Sequence, residues 1–358
     1  LHGLLIGDGN ILCAADVVQV RMLRADAGVV ETGGDGIHRR DLTVLVLAEV
    51  GLHAVEDAEP ASRDGRGGLK RVDAAARGLN TDEAHSRIVD EMVKAADGVT
   101  DLYGVMYKPF NFDSTAVYPI IDYVYPGPQV EATRYPFTRM SVRTDRLAQA
   151  GFIVVSVGNR GGHPGRSKWY HNFGYGNLRD YGLADQKAAI IQLADKHKYI
   201  DIHRVGIHGH SGGGFMSTAA ILQYPDFFKV AVSCAGNHDN KIYNRWWSET
   251  HHGVKEVVSE KGDTTFTYSI KSNPELAKQL KGHLLLVHGD IDNNVHPGNT
   301  MRVVDGLIRA NKRFDMLLLP QQRHGFGDMD EYFYWRMVDY FSEHLLGKSD
   351  KSVDIPKR

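Results

Sequence analysis

The pattern of apolar and polar positions changes character near residue 89. Before it, one apolar run, Leu42 to Leu47, is suited to a strand. From about residue 89 the pattern is regular. Met92–Ala96 and Leu102–Tyr107 flank Asp97-Gly98, a dipeptide suited to a hairpin turn. Val117–Tyr125 is an apolar run ending at Pro126-Gly127-Pro128, and Phe152–Val157 is another, stopped by Gly158 and by Gly161-Gly162. Val205–His208, Val230–Cys234, Leu284–Val287 and Phe314–Leu319 continue the series. Short apolar runs between turn signals predict buried strands. Between the runs the spacing becomes helical. Phe137, Met140, Thr144 and Leu147 mark one helix face, and Leu178, Tyr181, Ala184, Ala188 and Ile191 another. Phe215–Leu222, Val303–Ile308 and the stripe Phe333, Met337, Phe341 predict further helices. Strands alternating with helices predict an α/β fold, a mostly parallel twisted sheet with helices on both faces. Residues 236–282 interrupt the rhythm and are expected to form an insertion over one edge of the site.

Composition sets the first part of the chain apart. Residues 1–80 contain no Phe, Tyr or Trp, although about seven would be expected at the chain's 9% aromatic content. The first aromatic is Tyr103, and Lys70 is the only lysine before Lys94. Stretches such as Ala61-Ser62-Arg63-Asp64-Gly65-Arg66-Gly67-Gly68 offer few large groups from which to build a core. The chain is therefore read as an N-terminal segment of atypical composition (1–88), an α/β domain (89–349) and a charged tail (350–358). A poorly ordered extension and a reading-frame artefact both fit the first segment, and no function is assigned to it.

Charge and cysteine content narrow the function classes. The formal net charge of −2 implies no bulk attraction to nucleic acid or to an anionic membrane. No run approaches the ~18 apolar residues of a transmembrane span, so none is expected in this chain. The residues up to Val20 lack a basic leader, and Asp8 and Asp16 interrupt their apolar positions, so no signal peptide is read there. Two cysteines, Cys13 and Cys234, exclude a disulfide-rich scaffold. Cys234 lies in the apolar run Val230–Ala235 and is expected to be a small buried residue.

The strongest chemical signal is Gly209-His210-Ser211-Gly212-Gly213, a G-x-S-x-G elbow between an expected strand and an expected helix. Small residues are needed because the turn at the serine is strained and neighbouring chains pass close. The turn lifts the Ser211 hydroxyl above the sheet and aims the Gly212 N–H, at the helix start, toward a developing oxyanion. A serine nucleophile needs a base, and the base needs an orienting acid. In such folds the acid and then the histidine follow later strands. Leu284–Val287 leads into His288-Gly289-Asp290-Ile291-Asp292, where two acids compete. Asp290 suits the turn itself, which slightly favours Asp292. Phe314–Leu319 leads into a loop whose only histidine is His324. Tyr125, at the end of the first strong strand, is a candidate second oxyanion donor, although on position alone a packing tyrosine is the better reading. Losing one such donor costs about 3 kcal/mol of barrier. Of the eighteen histidines, His208 and His210 flank the elbow and His251-His252 lie in the insertion. No metal site is expected, because ligands would have to converge in a defined geometry.

These stretches resemble the catalytic domain of the prolyl oligopeptidase family, and its dipeptidyl peptidase IV branch in particular. The resemblance runs from about residue 89 to 348. It rests on Asp122-Tyr123-Val124-Tyr125-Pro126-Gly127-Pro128, on Gly209-His210-Ser211-Gly212-Gly213-Gly214, on His288 through His296, and on His324-Gly325-Phe326. It implies an α/β-hydrolase fold, a triad of Ser211, Asp292 and His324, and an oxyanion hole made by the Tyr125 hydroxyl and the Gly212 N–H. It further implies that Tyr243 and Trp247 wall a proline-accepting pocket, the family usually having tyrosine at the second position, and that Asn294 binds a substrate carbonyl. The implied activity is that of a serine-type peptidase acting through an acyl-enzyme after proline or alanine, with a peptide as partner and no metal or organic cofactor. The resemblance leans to the periplasm, the cell envelope or secretion, and is compatible with a homo-oligomer. The family's β-propeller, which in the dipeptidyl branch grips the substrate amino terminus with an acidic pair, is not expected in residues 1–88. That segment is too short and lacks aromatic-rich strands, and Glu56 and Asp57 are not assigned to the pair. Two alternatives stand beside the peptidase: an esterase or acyl-peptide hydrolase on the same triad, and a truncated, non-catalytic chain.

Overall fold

The structure, a computed structural model, describes residues 6–7, 10–13, 18–21, 88–129, 144–349 and 353–354. The chain divides into two units, Leu1–Asp73 and Ala74–Arg358. In the first, β1 (Ile6–Gly7), β2 (Asn10–Cys13) and β3 (Val18–Arg21) form a three-stranded antiparallel sheet. The strand expected at Leu42–Leu47 lies outside the described residues, as do Glu56, Asp57, Phe137 and Met140.

The second unit opens with a hairpin of β4 (Ile88–Lys94) and β5 (Asp101–Tyr107) around the expected turn. The Asp97 carboxylate accepts from the N–H groups of Thr100 and Val99, both at 2.9 Å, and from the Thr100 hydroxyl at 2.7 Å. These bonds hold its pKa down at about 2. Next come β6 (Tyr118–Tyr123), α1 (Thr144–Ala148), β7 (Ile153–Val157), α2 (Lys168–Asn172) and α3 (Asp180–Lys196). The elbow joins β8 (Ile200–His210) to α4 (Gly212–Gln223), and β9 (Phe228–Cys234) follows. The insertion contains α5 (Arg245–His252), an exposed hairpin of β10 (Val254–Val258) and β11 (Thr264–Tyr268), and α6 (Asn273–Leu276). The unit closes with β12 (His283–Gly289), α7 (Gly298–Arg309), β13 (Asp315–Leu319) and α8 (Asp330–Phe341).

Eight strands form one sheet in the order β13-β12-β9-β8-β6-β7-β5-β4. From β13 to β7 every pairing is parallel, and the β5–β4 hairpin joins β7 antiparallel at the edge. Successive residues of a strand serve opposite faces. Leu284 and Leu286 enter the core shared with α3, α4 and α7, whereas Leu285 and Val287 enter the core shared with α1 and α8. Both faces of the inner strands are covered, so they read as apolar runs, whereas the edge strand β13 leaves Met316 and Leu318 exposed. This is the doubly covered, mostly parallel sheet that the alternation predicts.

The helix predicted before β8 exists as α3, but its expected buried face is wrong. Leu178 is buried, yet Tyr181 and Ile191 are exposed; the buried residues are Gly182, Leu183, Asp185, Gln186, Ala189, Ile190 and Leu193. Asp185 receives Arg160 through Nη2 at 2.8 Å and Nε at 3.1 Å, and accepts from the Ala96 N–H at 2.9 Å. Gln186 donates to the Val157 carbonyl at 2.7 Å. Buried polar residues with such partners imitate a solvent face in an apolar count.

The insertion is fastened to the elbow helix through Asn273. Its Oδ1 accepts from Arg179 Nη1 at 2.7 Å, and its Nδ2 donates to the Phe215 carbonyl and to His238 Nδ1, each at 2.9 Å. Arginine only donates, which fixes the amide orientation and leaves the proton of neutral His238 on Nε2. Leu286, fully buried on β12, should cost about 2–5 kcal/mol on replacement by alanine. Urea unfolding of Leu286→Ala beside exposed Ile308→Ala, expected within about 0.5 kcal/mol of wild type, checks this.

Candidate active site

Ser211 lies between β8 and α4 with φ 58° and ψ −120°. A non-glycine residue there stores about 1–3 kcal/mol of strain. The surroundings hold it: the Ser211 N–H donates to the Cys234 carbonyl at 2.8 Å, and its carbonyl accepts from the Phe215 N–H at 3.0 Å. A Cβ at Gly209 or Gly213 would collide with the Val124 carbonyl, and one at Gly214 with the Cys234 carbonyl. The elbow is therefore wedged between the chain leaving β6 and the end of β9. Cys234 is buried, and burial pushes its thiol well up, so its contribution here is its carbonyl.

Tyr125 lies just past β6, half-buried. A Cβ on Gly212 would sit 3.3 Å from Tyr125 Cζ, the ring carbon that bears the hydroxyl. The fold thus brings the Tyr125 phenol and the first residue of α4 together.

Asp292 and His324 come from the loops after β12 and β13, strands paired in parallel. Asp292 Oδ2 lies 2.7 Å from His324 Nδ1. Asp292 Oδ1 accepts from the N–H groups of Asn294 at 2.9 Å and Val295 at 3.0 Å. Burial opposes ionisation of this carboxyl, but hydrogen bonds from His288 and His324, together with the His324 charge, outweigh it and hold the pKa well below the carboxylate range. An ionised carboxylate only accepts, so the His324 proton is on Nδ1 and Nε2 is the basic nitrogen. Asp290, the competing acid, is exposed, and its N–H donates to the Leu319 carbonyl at 3.1 Å.

His288 is a residue that sequence reasoning passes over. It is fully buried, with Nδ1 2.7 Å from Thr300 Oγ1 and Nε2 2.8 Å from the Val295 carbonyl and 3.3 Å from Asp292 Oδ2. A carbonyl only accepts, so Nε2 carries the proton and Nδ1 accepts from the Thr300 hydroxyl. His288 therefore braces the acid's loop. The available signal was a histidine ending an apolar strand, a position where a buried ring requires partners.

In the insertion, Asn244 caps α5 by accepting from the Trp247 N–H at 3.1 Å. The rings of Tyr243 and Trp247 meet edge to face, centroids 5.5 Å apart at 75°. Trp247 also contacts His251 at 4.9 Å and His252 at 5.3 Å. Asn294 is exposed and is tied to the acid through its main chain. Among the described residues, no group of three or more His, Cys, Asp or Glu converges as metal ligands, and no helix is long and apolar enough to cross a membrane.

Residues 138–348 match the family model described as the prolyl oligopeptidase family. Dipeptidyl peptidase 8 of Homo sapiens is 32% identical over 247 residues, 68% of this chain and 27% of that protein. Prolyl endopeptidase FAP of Mus musculus is 26% identical over 256 residues, 71% of this chain and 33% of that one. Among solved structures, dipeptidyl peptidase 4 of Porphyromonas gingivalis aligns with a TM-score of 0.62 at 27% identity, covering 72% of this chain and 35% of that one. The chain belongs to the prolyl oligopeptidase family, whose members are serine-type peptidases, and its sheet is that of an α/β hydrolase. It spans about a quarter to a third of the length of these relatives.

The depressed pKa of Asp292 has a consequence for stability. The stabilisation it brings is present above the ordinary carboxylate range and is lost as pH falls through the depressed folded value. Urea unfolding followed from neutral into acid pH should show a steeper loss in wild type than in Asp292→Asn; equal slopes would mean the carboxyl is not so held.

Proposed function

We propose that this chain is the catalytic part of a serine peptidase that cuts peptides after proline or alanine through an acyl-enzyme, in the manner of a dipeptidyl peptidase. The observation that carries the reading is the 2.7 Å His324–Asp292 pair on the loops beside an elbow that holds Ser211 at φ 58°. Ser211 Oγ attacks the scissile carbonyl carbon while His324 Nε2 takes its proton. Ionised Asp292 keeps the imidazole in the Nδ1–H tautomer and stabilises the imidazolium. The Tyr125 hydroxyl and the Gly212 N–H donate to the oxyanion of the tetrahedral intermediate. As that intermediate collapses, His324 passes the proton to the leaving amine. Water then attacks the acyl-enzyme, again giving its proton to His324, and Ser211 is regenerated.

Tyr243 and Trp247 are assigned to the wall of the pocket for the residue before the cut bond. Flat aromatic faces enclose a compact pyrrolidine ring without demanding hydrogen bonds. Asn294 is assigned to a substrate carbonyl. Residues 89–349 form the catalytic unit, with 1–88 and 350–358 outside it. Support comes from relatives named as dipeptidyl peptidases and from the chemistry of the assembled residues. No step of this reaction calls for a metal or an organic cofactor.

A chromogenic Gly-Pro amide, assayed beside a simple acetate ester, tests the reading. Amide cleavage should fall about a thousandfold or more in Ser211→Ala. Ester cleavage alone would move the assignment to an esterase, and turnover indifferent to Ser211 would sink it. Tyr125→Phe should lower kcat by about a hundredfold to a thousandfold with little change in KM; an unchanged kcat would return Tyr125 to a packing role.

A further inference from the structure

We infer that His210 is a positioning residue for His324, fixing the loop that carries the base and the tilt of its ring. The inference rests on the triad proposed above and adds to it a residue on the other side of the imidazole. His210 is the last residue of β8, immediately before Ser211. Its ring centroid lies 4.8 Å from that of His324 at an interplanar angle of 69°, and 5.1 Å from that of Phe326 at 73°. Both are edge-to-face contacts, the arrangement that ring quadrupoles favour. His324 and Phe326 belong to one loop, so the loop grips the His210 ring at two points.

The far side of that grip is anchored. Phe326 is buried and takes a left-handed φ of 60°, uncommon for a bulky residue, and its ring packs on Phe333 of α8 at 5.2 Å and 75°. A single bond from Asp292 to Nδ1 leaves the imidazole free to swing about that bond. A second ring set against it, itself in contact with Phe326 of the same loop, removes the swing. Small errors in the aim of a reacting group cost rate steeply, so removing this freedom matters to the proton transfer.

The charge state of His210 suits the role. Burial first, and then repulsion from His324 and His288, press its pKa down to about 3 against the attraction of Asp292. A neutral ring can lie against His324 without opposing the imidazolium formed there during turnover; a charged one would oppose it.

The test compares His210→Ala, which removes both ring contacts, with His210→Phe, which keeps an aromatic ring at the position. Three readouts apply: kcat against KM on the substrate wild type turns over, the pH dependence of kcat/KM, and the low-field proton NMR resonance of the His324 Nδ1–H. His210→Ala should lower kcat about tenfold to a hundredfold, leave KM within about twofold, shift the acid limb of kcat/KM and broaden the resonance. His210→Phe should recover part of the kcat. A wild-type kcat with an unbroadened resonance in His210→Ala would overturn the inference. So would a loss of kcat fully accounted for by fewer sites titrated with a serine-directed phosphonate, since His210 would then serve folding alone. Wild-type protein without Ser211-dependent turnover would instead defeat the peptidase reading, and the resonance, which needs no turnover, would still decide the part played by His210.

Discussion

Everything in the site depends on how the strained elbow is held. Left alone, Ser211 would relax from φ 58°, because its Cβ crowds the main chain there. It is kept in place by main-chain groups of two neighbouring strands: the Cys234 carbonyl that takes its N–H, and the Val124 carbonyl pressed against Gly209 and Gly213. Strain of this kind persists only where its surroundings over-determine it. The same compression forbids a side chain at Gly214, so one packing constraint sets both the pose of the serine and the glycine content of the motif.

Around that elbow, the acid and the buried histidines are oriented by partners that can only donate or only accept. The loop N–H groups of Asn294 and Val295 occupy one oxygen of Asp292 and leave the other for His324. The Val295 carbonyl fixes the proton on His288, and Thr300 fills its second nitrogen. In the insertion, Arg179 fixes the Asn273 amide, which in turn sets the His238 tautomer. Groups that can only donate or only accept settle those that can do either, which lets a mostly polar site hold one arrangement.

Much of this was legible in the sequence. The strands β6, β7, β9 and β12 could be found because a doubly covered parallel sheet makes them largely apolar, whereas the exposed hairpin of β10 and β11 carries no such run. The order Ser211, acid, His324 could be read because each residue follows a strand that the apolar runs already mark. Spacing could not separate Asp290 from Asp292, which share a loop; the separation lies in which side chain turns inward, and that is decided by the N–H groups of Asn294 and Val295. The face of α3 was misread because Asp185 and Gln186 are buried with partners distant in sequence. His288 escaped for the same reason, since its partners become visible only once the loop after β12 has folded back.

The strand order has a temporal consequence. The elbow ends β8, the acid follows β12 and the base follows β13, an edge strand of the sheet and the last in sequence among the described residues. Such parallel pairings join segments far apart along the chain, and contacts of high sequence separation are slow to form. A chain can form much of its core before β13 pairs with β12, so the nucleophile stays without its base until that edge is closed. For a hydrolase of this architecture, catalytic competence is then a late property of the finished sheet.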